Sequence, residues 1–197
     1  DNVVNNLLDD AQLESLLTVL RTDRNKTVCR IALFLMSTGA RLSEALSAKW
    51  ADVDLDRRSF TIRASNSKSK RLRAIPLSDT AMEVLLALPT RGEHEYLFVN
   101  SQTERPYVTI AKQWDRIRKL AGVPFLRIHD LRHAFASFLV SNGVSLWTVS
   151  TLLGHSDPKI STRYAHLTTK ALESAVNVAS LKISGGDAFV GMSKAAQ

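Results

Sequence analysis

Residues 127–166 read RIHDLRHAFASFLVSNGVSLWTVSTLLGHSDPKISTRYAH, and this stretch decides how the rest of the chain is read. Leu131, Ala134, Phe135, Phe138 and Leu139 recur at helical spacing, which predicts a helix over His129–Ser141 with Gly143 just past its end. Ser145 can cap a second helix over Leu146–Leu153, and Gly154 stops it, so His155 projects from the turn beyond. Asp157-Pro158 has aspartate at a cap and proline in the first turn, which places Tyr164 on a third, short helix. Three pieces of this stretch look chemical: His129-x-x-Arg132, then Gly154-His155, then Tyr164 nine positions later.

Upstream, Asp9 caps a helix over Asp10–Leu20, with Leu13, Leu16, Leu17 and Leu20 as its stripe. The next helix, Asn25–Thr38, is apolar nearly all round and belongs at the centre of a bundle. Gly39 ends it, and Arg41 opens a short helix in which Glu44 lies one turn on, placed to hold the Arg41 guanidinium. The period then changes. Asp52–Leu55, Ser59–Arg63 and Leu72–Ile75 alternate as three short strands, and Ser65–Lys70 forms the hairpin turn between the last two. Ser78-Asp79 caps a helix over Thr80–Leu88, Glu95–Asn100 reads as a brief strand, and Thr109–Leu120 is an amphipathic helix closed by Gly122. A last helix spans about Thr168–Leu181, and the small, aperiodic residues from Ser184 to Gln197 read as a tail. The fold class expected is α+β, mainly helical, a bundle with a small three-stranded antiparallel sheet.

Composition narrows the function. The chain has 197 residues, 45% hydrophobic and 23% charged, as in an ordinary soluble globular protein. Its longest apolar run, Ile31–Met36, is far too short to cross a bilayer, and no secretory signal opens the chain. The one cysteine, Cys29, excludes an internal disulfide and reads as a buried, inert thiol. The net charge is +7, and residues 57–73 hold seven basic side chains and no acidic one. A charge so concentrated points to a polyanion, with nucleic acid the leading partner. Arg63, Lys70, Arg71 and Arg73 in this run are read as DNA-binding. No GxxxxGK[ST] or GxGxxG occurs, so nothing suggests a nucleotide site.

His129 and His133 are four apart on one helix, a spacing that suits a metal pair. The carboxylate of an HExxH motif is absent, however, and Arg132 brings a cation to the same end of the helix. Phosphodiester chemistry fits the set better. In-line attack needs a nucleophile, positive charge on the non-bridging oxygens, a proton acceptor and a proton donor. Arginine's planar fork suits the second task, and tyrosine can be the nucleophile if helped to lose a proton whose free pKa is about 10.

The segments TGARLSEAL, SKSKRLRAIPL, HDLRHAFAS and LLGHSDPKISTRYAH, with the helix after the tyrosine, occur in the order and approximate spacing of the tyrosine recombinases, the phage-integrase family. The chain resembles the catalytic domain of that family over nearly its whole length. The resemblance implies that Arg41 and Arg132 clamp the scissile phosphate, with Glu44 supporting the first. It implies that Lys68, or failing it Lys70, protonates the departing 5′ oxygen, that His129 transfers a proton, and that His155 contacts the phosphate. It makes Tyr164 the nucleophile, with Asp130 and His133 as supports. Tyr96 and Tyr107 match no such motif and are read as packing residues.

Family membership further implies double-stranded DNA as partner, a homotetramer in the synapse and a monomer when free, with no metal or nucleotide cofactor and no membrane. It also implies a cytoplasmic, nucleoid-associated protein of bacterial or phage origin. Residues 1–183 would form the catalytic domain and residues 184–197 a tail able to dock on a neighbouring subunit, the family's N-terminal core-binding domain being absent from this chain. Two rivals remain. Type IB topoisomerases resemble this family in fold and site but relax DNA, and a non-catalytic DNA-binding module could retain the same fold.

Overall fold

The computed structural model describes residues 8–63 and 72–154. Helix α1 (Asp10–Thr22) begins where Asp9 accepts from the Gln12 amide at 2.7 Å while Gln12 reaches back to the Asp9 amide, a complete capping box. Helix α2 (Lys26–Thr38) is capped by Asn25, which accepts from the Val28 amide, and ends at Gly39 in the left-handed conformation, φ 65°. It is the axle of the fold, packing against α1, the short α3 (Leu42–Leu46), α4 (Asp79–Leu86) and α6 (Asp130–Ser141). Phe34 at its centre meets Phe60 and Phe98 edge-on, with ring centroids 5.4 and 5.6 Å apart. Each such pair contributes about 0.5–1.5 kcal/mol beyond simple burial.

After α3 a 3-10 turn (Trp50–Asp52) leads into β1 (Val53–Asp54), β2 (Ser59–Ile62) and β3 (Arg73–Pro76), an antiparallel sheet in the order β1-β2-β3. Phe60 pairs with Ile75 and Ile62 with Arg73, so alternation turns Phe60, Ile62 and Ile75 onto the helical core. The expected mainly helical α+β class and its three strands are what the structure has. The hairpin turn predicted at Ser65–Lys70, the helix carrying Tyr164, the final helix and the tail lie outside the described residues.

The remaining elements differ in detail from the sequence reading. Ser78 caps α4 as expected. The brief strand expected over Glu95–Asn100 contracts to β4 (Val99–Asn100), with a single bridge from Tyr96 to Lys49. Its partner β5 (Arg105–Pro106) was not anticipated, because proline argues against a strand except at an edge such as this one. Helix α5 (Ala111–Leu120) starts two residues late because the Thr109 hydroxyl accepts from the Ala111 amide. Helix α7 (Leu146–Leu153) has Ser145 as its cap and Gly154 in the left-handed conformation at its end. Tyr107 packs against the core, as read, and burial raises its phenol pKa. Cys29 is 1% exposed, and burial pushes its thiol up to about 11.

Gly39 is tightly enclosed. A Cβ there would stand 2.4 Å from Cδ1 of Phe135 and 2.8 Å from Cδ2 of Leu153. Left-handed strain and overpacking therefore act together, and Gly39→Ala is expected to destabilise the fold by about 2–4 kcal/mol in denaturant titration. A loss below 1 kcal/mol would contradict this packing.

One ion pair ties α5 to the end of α1. Arg116 of α5 donates two hydrogen bonds to Asp23 at the end of α1, at 2.7 and 2.6 Å. Those bonds outweigh the effect of burial and hold the Asp23 carboxyl at about 2, against an ordinary 3.8. Stability from this group is complete above pH 4 and is lost as pH falls towards 2. The stability gap between the parent and Asp23→Asn is therefore expected to narrow by about 1–2 kcal/mol between pH 5 and pH 2.5, allowing for solvent at the arginine end. Urea midpoints at the two pH values measure it, and a gap independent of pH would exclude the assignment.

Candidate active site

The turn after α2 is shaped by its polar groups. The Thr38 hydroxyl donates to the Phe34 carbonyl and accepts from the Ala40 amide, Gly39 reverses the chain, and Arg41 stands just before α3. Glu44, 1% exposed, turns back on this arginine: Oε2 accepts from the Arg41 amide and Oε1 from Arg41 Nη1, both at 2.8 Å. With its carboxylate out of solvent, this is not the weak surface ion pair that the sequence alone allows.

A second guanidinium completes the cluster. Arg73 of β3 donates from Nη2 to Oε2 of Glu44 at 2.8 Å and from Nη1 to Oε1 at 3.1 Å. Burial alone would raise the Glu44 carboxyl. The hydrogen bonds from Arg73 and from Arg41, with the charge of Arg73, more than reverse that and keep it below the usual carboxylate range. Arg73, read from sequence as a DNA contact, is thus turned inward with its side chain 10% exposed. The signal that could have found this is the alternation of β3, which puts Arg73 on the same face as the buried Ile75.

Arg132 lies in the first turn of α6 and is 4% exposed. Its Nη1 donates to the Gly39 carbonyl at 2.6 Å and its Nη2 to the Leu153 carbonyl at 2.7 Å, joining the ends of α2 and α7 beside Arg41. The two bonds use two of five N–H donors in a fixed planar fork. His129 immediately precedes the same helix, its ring 4.9 Å from that of His133 and edge-to-face. Partial burial, then the positive charges of Arg132, Arg127 and Arg41, lower the His129 pKa against a smaller opposing pull from Asp130. Its imidazole is therefore neutral near pH 7 and able to take a proton. Asp130, 2% exposed, accepts from the Arg127 amide and guanidinium, which anchors the chain as it enters α6.

Of the sequence-predicted site residues, the structure brings Arg41, Glu44, His129, Asp130, Arg132 and His133 to one end of α2, α3 and α6. Arg63 lies apart, paired with the buried Asp52. Lys68, Lys70, Arg71, His155 and Tyr164 lie outside the described residues. Two guanidinium groups and an imidazole held at one point can bind an oxyanion and exchange a proton.

The chain matches the Phage integrase family over residues 6–171, and it belongs to that family. It is 32% identical over 146 aligned positions to the integrase of Salmonella phage P22, covering 68% of this chain and 38% of that protein. It is 32% identical over 162 positions to tyrosine recombinase XerA of Saccharolobus solfataricus, covering 81% and 52% respectively. The chain thus spans about half the length of the curated relatives it matches. Among solved structures, the catalytic domain of bacteriophage HP1 integrase aligns with a TM-score of 0.67 and 28% identity, over 97% of this chain and 98% of that one. XerH recombinase in a post-cleavage complex with palindromic difH substrate aligns with a TM-score of 0.67 and 27% identity, over 87% and 52%.

The His129 environment is open to direct measurement. Its ring resonances, followed by NMR against pH, are expected to titrate with a midpoint below the ordinary imidazole value of about 6.5. A midpoint at or above that value would mean that a carboxylate, not the arginines and burial, governs the group.

Proposed function

We propose that this chain is the catalytic domain of a tyrosine-type site-specific DNA recombinase or integrase. The observation that carries the proposal is the meeting of Arg41, locked by a buried carboxylate, with Arg132 and His129 in a chain of this family. Relatives support the substrate class, since XerH was crystallised with a difH substrate.

In this mechanism Arg41 and Arg132 bind the non-bridging oxygens of the scissile phosphate and stabilise the charge that builds in the transition state. Tyr164 attacks phosphorus in line, its phenolic proton passing to His129. The bond to the 5′ oxygen breaks, Lys68 protonates the departing oxygen, and a 3′-phosphotyrosine is left. His155 supplies a further contact to the phosphate. Attack by the 5′ hydroxyl of a partner duplex reverses these steps and releases the tyrosine. The ester conserves the energy of the broken bond, so rejoining draws on no nucleotide and the steps call on no metal. Two such exchanges, through a Holliday junction held in a homotetramer, complete recombination. Asp130 and His133 support the α6 terminus, and Lys70 and Arg71 contact the DNA backbone.

Trapping the covalent intermediate tests this. The chain, and any longer protein that carries it, would be incubated with nicked suicide duplexes bearing candidate sites, beside a Tyr164→Phe control. A denaturing-gel band shifted by one protein mass and absent from the control is expected. Arg41→Ala should lower its rate of formation by roughly 10²–10³-fold, as for other lost oxyanion donors. Tight, site-specific binding that yields no adduct would leave a DNA-binding module instead, and relaxation without junction formation would favour a topoisomerase.

A further inference from the structure

We infer that Arg73 is a positioning residue for the phosphate grip, acting on Arg41 through Glu44; this rests on the function proposed above. Both oxygens of one buried carboxylate are shared between two arginines. Arg41 takes Oε1 by its side chain and Oε2 by its amide, and Arg73 takes both through its guanidinium fork. With Arg41 alone, Glu44 would keep two hydrogen bonds, both from the residue it has to orient, and nothing outside the α3 terminus would fix it. The fork of Arg73 fixes the plane of the carboxylate, and so the direction in which Arg41 is held.

Arg73 also joins three chain segments that deliver site residues. It begins β3, five residues after Lys68 in the sequence. It holds the α3 terminus that presents Arg41. It also lies against Gly154, where a Cβ would stand 2.8 Å from its Nη1 and 2.9 Å from its Cδ, one residue before His155. Gly154 therefore has two reasons to be glycine: its φ of 65° and the guanidinium seated against it.

A purely structural role fits the site poorly. Arg73 Nε is buried and finds no hydrogen-bond partner among the described residues, so the side chain is not placed for best stability. Apolar residues in place of the whole Arg41–Glu44–Arg73 cluster would commonly be as stable or more so, so stability alone does not account for three charged groups here. What the cation adds at this position is direction.

The test compares single-turnover cleavage of a suicide duplex and duplex affinity in the parent, Arg73→Met, Arg73→Lys, Arg41→Ala and Arg41→Ala/Arg73→Met. Arg73→Met is expected to slow cleavage about 10- to 100-fold, the scale of a small misplacement, with affinity changed less than about 3-fold. Arg73→Lys, which keeps the charge and loses the fork, should fall between Arg73→Met and the parent. In the Arg41→Ala background, loss of Arg73 should change the rate by less than about 2-fold, because the residue it acts through is gone. Cleavage at the parent rate by Arg73→Met, or an equal loss in both backgrounds, would overturn the inference. Crystal structures of the parent and Arg73→Lys without DNA decide it independently of catalysis: an unmoved Arg41 guanidinium in Arg73→Lys refutes it. Absence of any adduct from the parent would instead refute the proposed function.

Discussion

A carboxylate 1% exposed in the interior is the constraint on which the site depends. Removing one ion from water costs several kcal/mol even after the protein relaxes, and only well-placed opposite charge offsets it. Glu44 meets that demand with one guanidinium from the start of α3 and one from β3. The turn after α2 and the edge of the sheet are therefore held at one point, by a bond set that tolerates little displacement. Arg132 adds the third tie by bridging the carbonyls of Gly39 and Leu153. Oxygen acceptors at the ends of two helices and a buried acid thus fix the arginines before any ligand arrives, the preorganisation on which electrostatic catalysis rests.

Local rules made much of this legible in the sequence. Asp9, Asn25, Ser78 and Ser145 cap helices where the sequence, read by those rules, expects starts, and Gly39 and Gly154 take the left-handed turns that end them. The three strands of the sheet lie within a residue or two of where alternation sets them. Glu44 one turn from Arg41 was visible because a helix brings such residues together. The rest depends on partners far apart in sequence. Arg73 meets Glu44 across 29 residues, Arg116 meets Asp23 across 93, and Arg132 reaches the Gly39 carbonyl across 93. Periodicity can say that such a side chain faces inward, but not what it meets there.

The basic run shows how composition misleads when it is read without pairing. Arg57, Arg58, Arg63 and Arg73 each stand against a carboxylate: Asp54, Asp79, Asp52 and Glu44. All four acids lie outside residues 57–73, so counting charge along the run makes it look more open to a polyanion than its described members are. Exposed arginines such as Arg57 keep long-range influence on any approaching polyanion. Arg73 is turned inward and engaged by Glu44.

Cys29 gives the chain a practical property. It is the single cysteine in 197 residues, and it is enclosed in α2. With burial raising its thiol pKa to about 11, only about one molecule in ten thousand carries the reactive thiolate at pH 7. A cysteine introduced on the surface would therefore be modified by maleimide reagents far faster than the native one. Fluorophore pairs or spin labels could be attached at chosen surface positions, leaving the α2 core intact while distances between elements of the fold are followed.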